Sequence, residues 1–304
     1  MSGSRLSVPV SLALCCSLLA LPALAQAHSP TPESIAADDA SVTPKPTWAV
    51  PANPQLKTLW LVGDSTMHKA DGHGAGGMWG WGEPIAALFD LSKINVVNRA
   101  IGGRSSRSFI EEGHWDDVLH FAKPGDVVIV QFGHNDPIPP RATVIPERST
   151  LPGTGDETRE AANAATGEKE TVHTYGWYLK KYVADARAHH LTIVLCSPVP
   201  RKVWKDGRIA SFDTTYAPWA EQVAHEEHVD FIDLYGIIGG EYDAQGPEKV
   251  EGYFGDAGTH TNLAGARINA AAVVAGLKAL PDDPVAGDFS APGEAVPAYK
   301  PPTP

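Results

Sequence analysis

Short, nearly all-apolar runs recur along the chain, with amphipathic stretches between them. Thr58-Leu59-Trp60-Leu61-Val62 ends at Gly63, and Ile94-Asn95-Val96-Val97, Val127-Val128-Ile129-Val130, Leu191-Thr192-Ile193-Val194-Leu195 and Val229-Asp230-Phe231-Ile232 follow. Their length and β-branched content predict buried strands. Between the third and fourth of them, Tyr175, Leu179, Tyr182, Val183 and Ala186 fall on one helical face, with Lys180, Lys181 and Asp185 opposite. Residues 214–228 and 262–279 read as helices as well. Strand–helix alternation predicts a mostly parallel central sheet covered on both faces, an α/β fold in the form of a three-layer α/β/α sandwich. Ligand sites in such sheets lie beyond the carboxyl ends of the strands.

The rhythm is absent from the two ends. Residues 1–27 have Arg5, an apolar run from Val8 to Leu24 and small residues up to Ala27, which together read as a secretory signal peptide. Residues 28–55 read as a flexible lead-in, and the Pro-rich stretch 281–304 as a disordered tail. The domain proper is expected over 56–280. Within it, residues 137–171 carry Pro and Gly without a sustained period, as a functional or disordered loop would. No segment reaches the roughly 20 apolar residues of a membrane helix, so no membrane contact is expected after signal cleavage. The expected location is periplasmic or extracellular.

Charge and cysteine content narrow the picture. A formal net charge of −12 argues against nucleic acid as a partner, which needs a basic footprint. Of three cysteines, Cys15 and Cys16 lie in the signal, leaving Cys196 inside an apolar run as a buried thiol. The mature chain can form no internal disulfide and must hold together by burial.

Four polar blocks follow predicted strands. Gly63-Asp64-Ser65-Thr66-Met67 sets a hydroxyl at a strand end, where a serine needs a base to become a nucleophile. Asn98-Arg99-Ala100-Ile101-Gly102-Gly103-Arg104 has glycines that let a backbone N–H approach a ligand closely. Gln131-Phe132-Gly133-His134-Asn135-Asp136 offers a side-chain amide able to donate to an oxyanion. Asp256-Ala257-Gly258-Thr259-His260-Thr261-Asn262 supplies a histidine and a carboxylate. Each block alone is compatible with an ordinary turn. Together, in this order, they hold the parts of a serine hydrolase.

On these residues the chain resembles the SGNH, or GDSL, hydrolase superfamily, whose four blocks contribute Ser, Gly, Asn and His in that order. Gly-Gly-Arg-Ser-Ser-Arg-Ser-Phe at 102–109, Gly133-His134-Asn135-Asp136, Gly80-Trp81-Gly82 and His173-Thr174-Tyr175-Gly176-Trp177-Tyr178-Leu179 make it similar, over 56–280, to rhamnogalacturonan acetylesterases. The resemblance implies a flavodoxin-like SGNH fold and removal of acetyl groups from an acetylated polysaccharide. Ser65 would be the nucleophile, His260 its base and Asp256 the group orienting His260. The backbone N–H groups of Ser65 and Gly103 and the amide of Asn135 would form the oxyanion hole. Arg104, His134 and Trp81 would bind substrate. No metal or organic cofactor is implied, and a monomer is expected. One departure stands out: the family has Asp three residues before the histidine, where this chain has Ala257. Either the turn bulges so that Asp256 still reaches, or another group orients His260.

Other features carry less chemistry. Gly72-His73-Gly74-Ala75-Gly76-Gly77 matches a dinucleotide fingerprint but starts well beyond its strand. His225-Glu226-Glu227-His228 is not the H-E-x-x-H of zinc proteases and reads as a solvated helix face. Ser65 lacks the G-x-S-x-G elbow of α/β-hydrolases. Arg107, Arg201 and Lys202, with Arg104, are candidates to meet the carboxylates of a pectic polymer, or equally to bridge acids on their own surface. Trp79, Trp81, Trp177 and Trp204 are candidates for sugar stacking or for the core. Esterases for xylan or small esters remain alternatives. So does a carbohydrate-binding protein on an inactive scaffold, which would have no need of the four blocks together.

Overall fold

The computed structural model describes residues 1, 49–69, 75–139, 141–162, 167–209 and 216–301. Residues 2–27 of the predicted signal peptide, 28–48 of the lead-in and 72–74 of the glycine run lie outside the described residues.

Each apolar run forms a strand of one sheet. These are β1 (Lys57–Gly63), β2 (Ile94–Asn98), β3 (Val127–Gln131), β6 (Thr192–Cys196) and β9 (Asp230–Ile232). They pair in the order β2-β1-β3-β6-β9, and every pairing is parallel. Two short hairpins lie outside the sheet: β4 (Arg159–Ala162) with β5 (Lys169–Val172), and β7 (Trp204–Lys205) with β8 (Arg208–Ile209). The helices are α1 (Ser106–Glu111), α2 (His114–Phe121), α3 (Tyr175–Ala188), α4 (Tyr216–Glu226), α5 (Leu234–Gln245), α6 (Pro247–Glu251), α7 (Leu263–Leu277) and α8 (Ala291–Glu294).

Side chains of a strand point alternately to opposite faces, and here both faces are dry. Leu59, Leu61, Val127, Ile129, Val194 and Cys196 pack against α5, α7 and the 3₁₀ segment Pro84–Leu88. Trp60, Val62, Val128, Val130, Ile193 and Leu195 pack with Phe109, Trp115, Tyr175 and Tyr182 of α1, α2 and α3. Two cores on one sheet make the three-layer sandwich, and explain why the strands read as continuous apolar runs. Polar side chains close the helix starts: Thr174 accepts from Trp177 N–H before α3, and Asn262 accepts from the Ala264 and Gly265 N–H groups before α7. Cys196 is buried, and desolvation raises its thiol far above the ordinary range, so it stays an inert core thiol.

Two sequence expectations change. The segment 137–171 has its own small core, in which Ile145 and Leu151 meet Val172, and β5 pairs with β4 across the described part of the insertion. The stretch from 281, expected to be disordered, is packed against the domain through residue 301. Val285 is fully buried, the Phe289 ring packs tilted against Phe89 with centroids 5.2 Å apart, and Lys278 Nζ donates to the carbonyls of Gly293, Glu294 and Val296. Lys57 also pairs with Asp288. The proline content masked two well-spaced apolar anchors, and the prolines lie in turns, at the start of α8 or in irregular chain, where they lose no helical hydrogen bond. Phe289→Ala is therefore expected to lower stability by about 3 kcal/mol or more, read as a lower urea midpoint; an unchanged midpoint would show the tail to be dispensable.

Candidate active site

Three of the four polar blocks leave the carboxyl ends of β1, β2 and β3; the fourth, Asp256–Asn262, expected after a strand, lies instead in the loop between α6 and α7. Gly63 ends β1 against β3, and the chain turns at once, with Met67 N–H and His68 N–H both donating to the Asp64 carbonyl. The turn is backed by Gly80-Trp81-Gly82, whose Trp81 and Gly82 N–H groups donate to the Thr66 and Met67 carbonyls. A Cβ on Gly80 would lie 2.2 Å from the Met67 carbonyl carbon, so only glycine permits this contact. Trp81 itself is completely buried, with Nε1 donating to Gln131 Oε1 at 2.9 Å. It supports the turn from beneath and offers no face to a sugar, which corrects the expectation that it binds substrate.

Ser65 Oγ lies 2.8 Å from His260 Nε2, and His260 Nδ1 lies 2.6 Å from Asp256 Oδ2. A carboxylate only accepts, so Nδ1 carries the proton and Nε2 is left as an acceptor for the serine hydroxyl. The unusual spacing of Asp256 is resolved by the loop's own backbone. Asp256 Oδ1 accepts from the N–H groups of Gly258, Thr259 and His260 at 2.8, 2.7 and 3.0 Å. The chain curls around the carboxylate, absorbs the extra residue and leaves Oδ2 for the imidazole. Burial opposes the charge, but the His260 side chain and the Gly258 and His260 N–H groups hold the carboxyl well below the usual range. The loop is closed by Gly255 N–H to His260 carbonyl and Asn262 N–H to Tyr253 carbonyl bonds.

Beside this pair lies the glycine block. Gly102 is close enough that a Cβ there would sit 3.6 Å from Ser65 Cβ, and Gly103 has φ +78°, a conformation favoured by glycine. Asn135 Nδ2 donates to the Arg104 carbonyl at 3.0 Å, so its carboxamide lies against the glycine block. Arg104 is partly exposed, but its guanidinium is engaged by Glu112 and by the Gly102 carbonyl. His134 is 7 % exposed. Its Nε2 donates to the Val199 carbonyl at 3.0 Å, and its Nδ1 faces Asp64 Oδ2 at 3.3 Å. Burial and these two partners remove it from contact with a polymer, correcting its expected role in substrate binding.

The other candidates separate cleanly. Arg107 is fully buried and pairs with Glu111 and Glu170, tying β5 to α1. Arg201 donates to Thr259 Oγ1 at 2.7 Å and to the His134 carbonyl at 3.3 Å, bracing the His260 loop, while Lys202 pairs with Glu251. Trp177 stacks on His173 at 3.8 Å, and Trp204 packs against the core of the α5–α7 face. Trp79 is half-buried and bonds through its backbone to Thr261, next to His260. No cluster of potential metal ligands occurs among the described residues. A groove of about 870 Å³ lies between α5, α7 and residues 296–300, but the residues lining it include no serine, cysteine or histidine.

Sequence reasoning passed over the carboxylates behind the site, Asp64 and Asp136, both wholly buried. Position one residue from a block residue at a strand end was the available signal. Asp136 Oδ1 accepts from Ser106 N–H at 3.1 Å and Ser106 Oγ–H at 2.5 Å, pinning the start of α1 to the block that holds Asn135. Asp64 Oδ1 accepts from Thr66 N–H and Oγ–H. Burial weighs against its charge, yet His134 and the Thr66 donors hold its carboxyl below the ordinary value.

The chain belongs to the GDSL-like lipase/acylhydrolase family, whose model matches residues 61–268, and it is an esterase. It is 31% identical over 214 residues to a rhamnogalacturonan acetylesterase of Emericella nidulans, covering 70% of this chain and 81% of that protein. It is 34% identical over 228 residues to a probable rhamnogalacturonan acetylesterase, YesY, of Bacillus subtilis, covering 73% and 93%. Among solved structures, that of Bacillus subtilis YxiM superimposes with a TM-score of 0.58 at 25% identity, covering 73% of this chain and 56% of that one.

Burial pushes the Asp136 carboxyl up to about 7, against the Ser106 hydrogen bonds and with added repulsion from Asp64. The unfolded chain gives up this proton near pH 4. The folded protein therefore binds more protons between about pH 4 and 7, and this group makes stability fall as pH rises through that window. Asp136→Asn cannot ionise, so its stability relative to wild type is expected to improve from pH 4 to pH 7 in urea titrations. A difference independent of pH would contradict it.

Proposed function

We propose that the protein is a secreted serine acetylesterase that removes acetyl groups from a pectic polysaccharide of the rhamnogalacturonan type. The observation that carries the reading is the 2.8 Å contact of Ser65 Oγ with His260 Nε2, backed by Asp256, beside the ends of β2 and β3 that lead to Gly103 and Asn135. Ser65 Oγ attacks the acetyl carbonyl as His260 takes its proton. The oxyanion receives the backbone N–H groups of Ser65 and Gly103 and the Asn135 amide, each such donor contributing about 2.7–4 kcal/mol to transition-state stabilisation. Collapse expels the sugar oxygen, which takes the proton back from His260 and leaves an acetyl-serine. A water molecule, deprotonated by His260, then attacks the acetyl carbon, and acetate leaves as Ser65 is reprotonated. Asp256 keeps the imidazole in the tautomer this cycle needs.

Support for the substrate comes from the two relatives, whose names place them on rhamnogalacturonan. Trp79, half-buried and bonded to the residue after His260, is the tryptophan best placed to pack on a sugar ring. Arg104 ends the glycine block and is a candidate cation for a galacturonate carboxylate, with Glu112 as its competitor. Secretion rests on the signal-like residues 1–27.

Acetate release should be measured on acetylated rhamnogalacturonan, acetylated xylan and an aryl acetate. Ser65→Ala is expected to lower kcat by at least roughly 10³-fold, and Asp256→Asn by roughly 10⁴-fold. Unchanged release by Ser65→Ala would remove the nucleophile assignment, and an Asp256→Asn rate within a few-fold of wild type would remove Asp256 as the orienting group. The pectic substrate is expected to give the highest kcat/KM; a strong preference for xylan would overturn the substrate alone.

A further inference from the structure

Two buried groups near the site have no part in the chemical steps above. Asp64 directly precedes Ser65, and His134 directly precedes Asn135. Their side chains face each other, Asp64 Oδ2 to His134 Nδ1 at 3.3 Å, each almost entirely removed from solvent. The other end of the imidazole is held by the Val199 carbonyl at 3.0 Å. Val199 follows β6, so one ring joins the ends of β1, β3 and β6. The His134 carbonyl in turn receives Arg201, which also holds Thr259 of the His260 loop.

From this geometry we propose that His134 is a positioning residue, a strut that sets the spacing between Ser65 and the Asn135 amide. The inference rests on the reading of Asn135 as an oxyanion donor. Both ring nitrogens face acceptors. Nε2 donates to the Val199 carbonyl, and Nδ1 meets the Asp64 carboxylate favourably only when it too carries a proton. The contact spans the sheet one residue behind each reacting group. A change in its length therefore moves the hydroxyl and the amide relative to each other without touching substrate. Oxyanion donors act only when aimed at the position of the developing charge, so the strut works on the transition state more than on binding.

The test is a double-mutant cycle on p-nitrophenyl acetate with the full chain. His134→Gln keeps a donor but cannot span both acceptors. It is expected to lower kcat roughly 10–100-fold with little change in KM. Because the strut acts through Asn135, His134→Gln is expected to cost almost nothing further in an Asn135→Ala background, where independent effects would multiply. Asp64→Asn supplies a second reading. Its amide can donate to a singly protonated His134 while its oxygen keeps the Thr66 bonds, so it should lose much less kcat than His134→Gln. Thermal melts of each variant show which are folded.

Losses that multiply on a slow Asn135→Ala enzyme would overturn the strut while leaving the oxyanion assignment intact. An Asn135→Ala enzyme as fast as wild type would overturn both, and is thereby distinguishable. An Asp64→Asn that falls as far as His134→Gln would overturn the strut as well, since the spacing would then have been preserved without effect.

Discussion

Burial of both faces of a five-stranded parallel sheet is the constraint from which the rest follows. Because alternate side chains of β1, β3 and β6 enter different cores, neither face of these strands can present chemistry. Polar residues must leave at the strand ends, and parallel pairing puts the carboxyl ends of all five strands on one side. The register then decides which residues meet. Gly63 pairs with Gln131, and Gln131 with Cys196, so the residues after them emerge side by side. A hydroxyl and an amide from distant parts of the chain thus converge, and the loop between α6 and α7 brings the His260 imidazole to the hydroxyl.

Convergence to within a few ångströms is not alignment, and here alignment comes from buried hydrogen bonds between the loops. Asp136 fastens the start of α1 to the Asn135 block, Trp81 and Gln131 brace the Ser65 turn, and Arg201 spans to the His260 loop. The Asp256 loop is the clearest case. One carboxylate oxygen collects three backbone N–H groups and the other orients His260. A charge that would be costly to bury is compensated by four donors, and the same donors give the loop its shape. That shape accommodates an aspartate four residues from its histidine.

The additions around the sheet follow the same economy of anchors. Arg107 joins α1 to the insertion, and Lys278 gathers three carbonyls of the C-terminal stretch. In both places one long cation satisfies groups that an irregular segment cannot satisfy within itself.

The five strands, the helix beginning at Tyr175, the parallel architecture and the four blocks were legible in the amino-acid sequence, because apolar periodicity and short polar motifs are local signals. Composition misled at 281–301, where a few apolar anchors outweigh many prolines, and at Trp81, whose type suits a sugar face and a core equally. Burial decided between those, and burial depends on what packs opposite. Local pattern in the sequence by itself marked Ser65, Gly103 and Asn135 as residues leaving strands, and the Asp256–Asn262 motif supplied His260 and its carboxylate from a loop between helices. Only the tertiary structure decided that Asp256 reaches His260 despite the extra residue, and that His134 faces Asp64 rather than solvent. Both are contacts set by loop curvature and strand register, which no local pattern encodes.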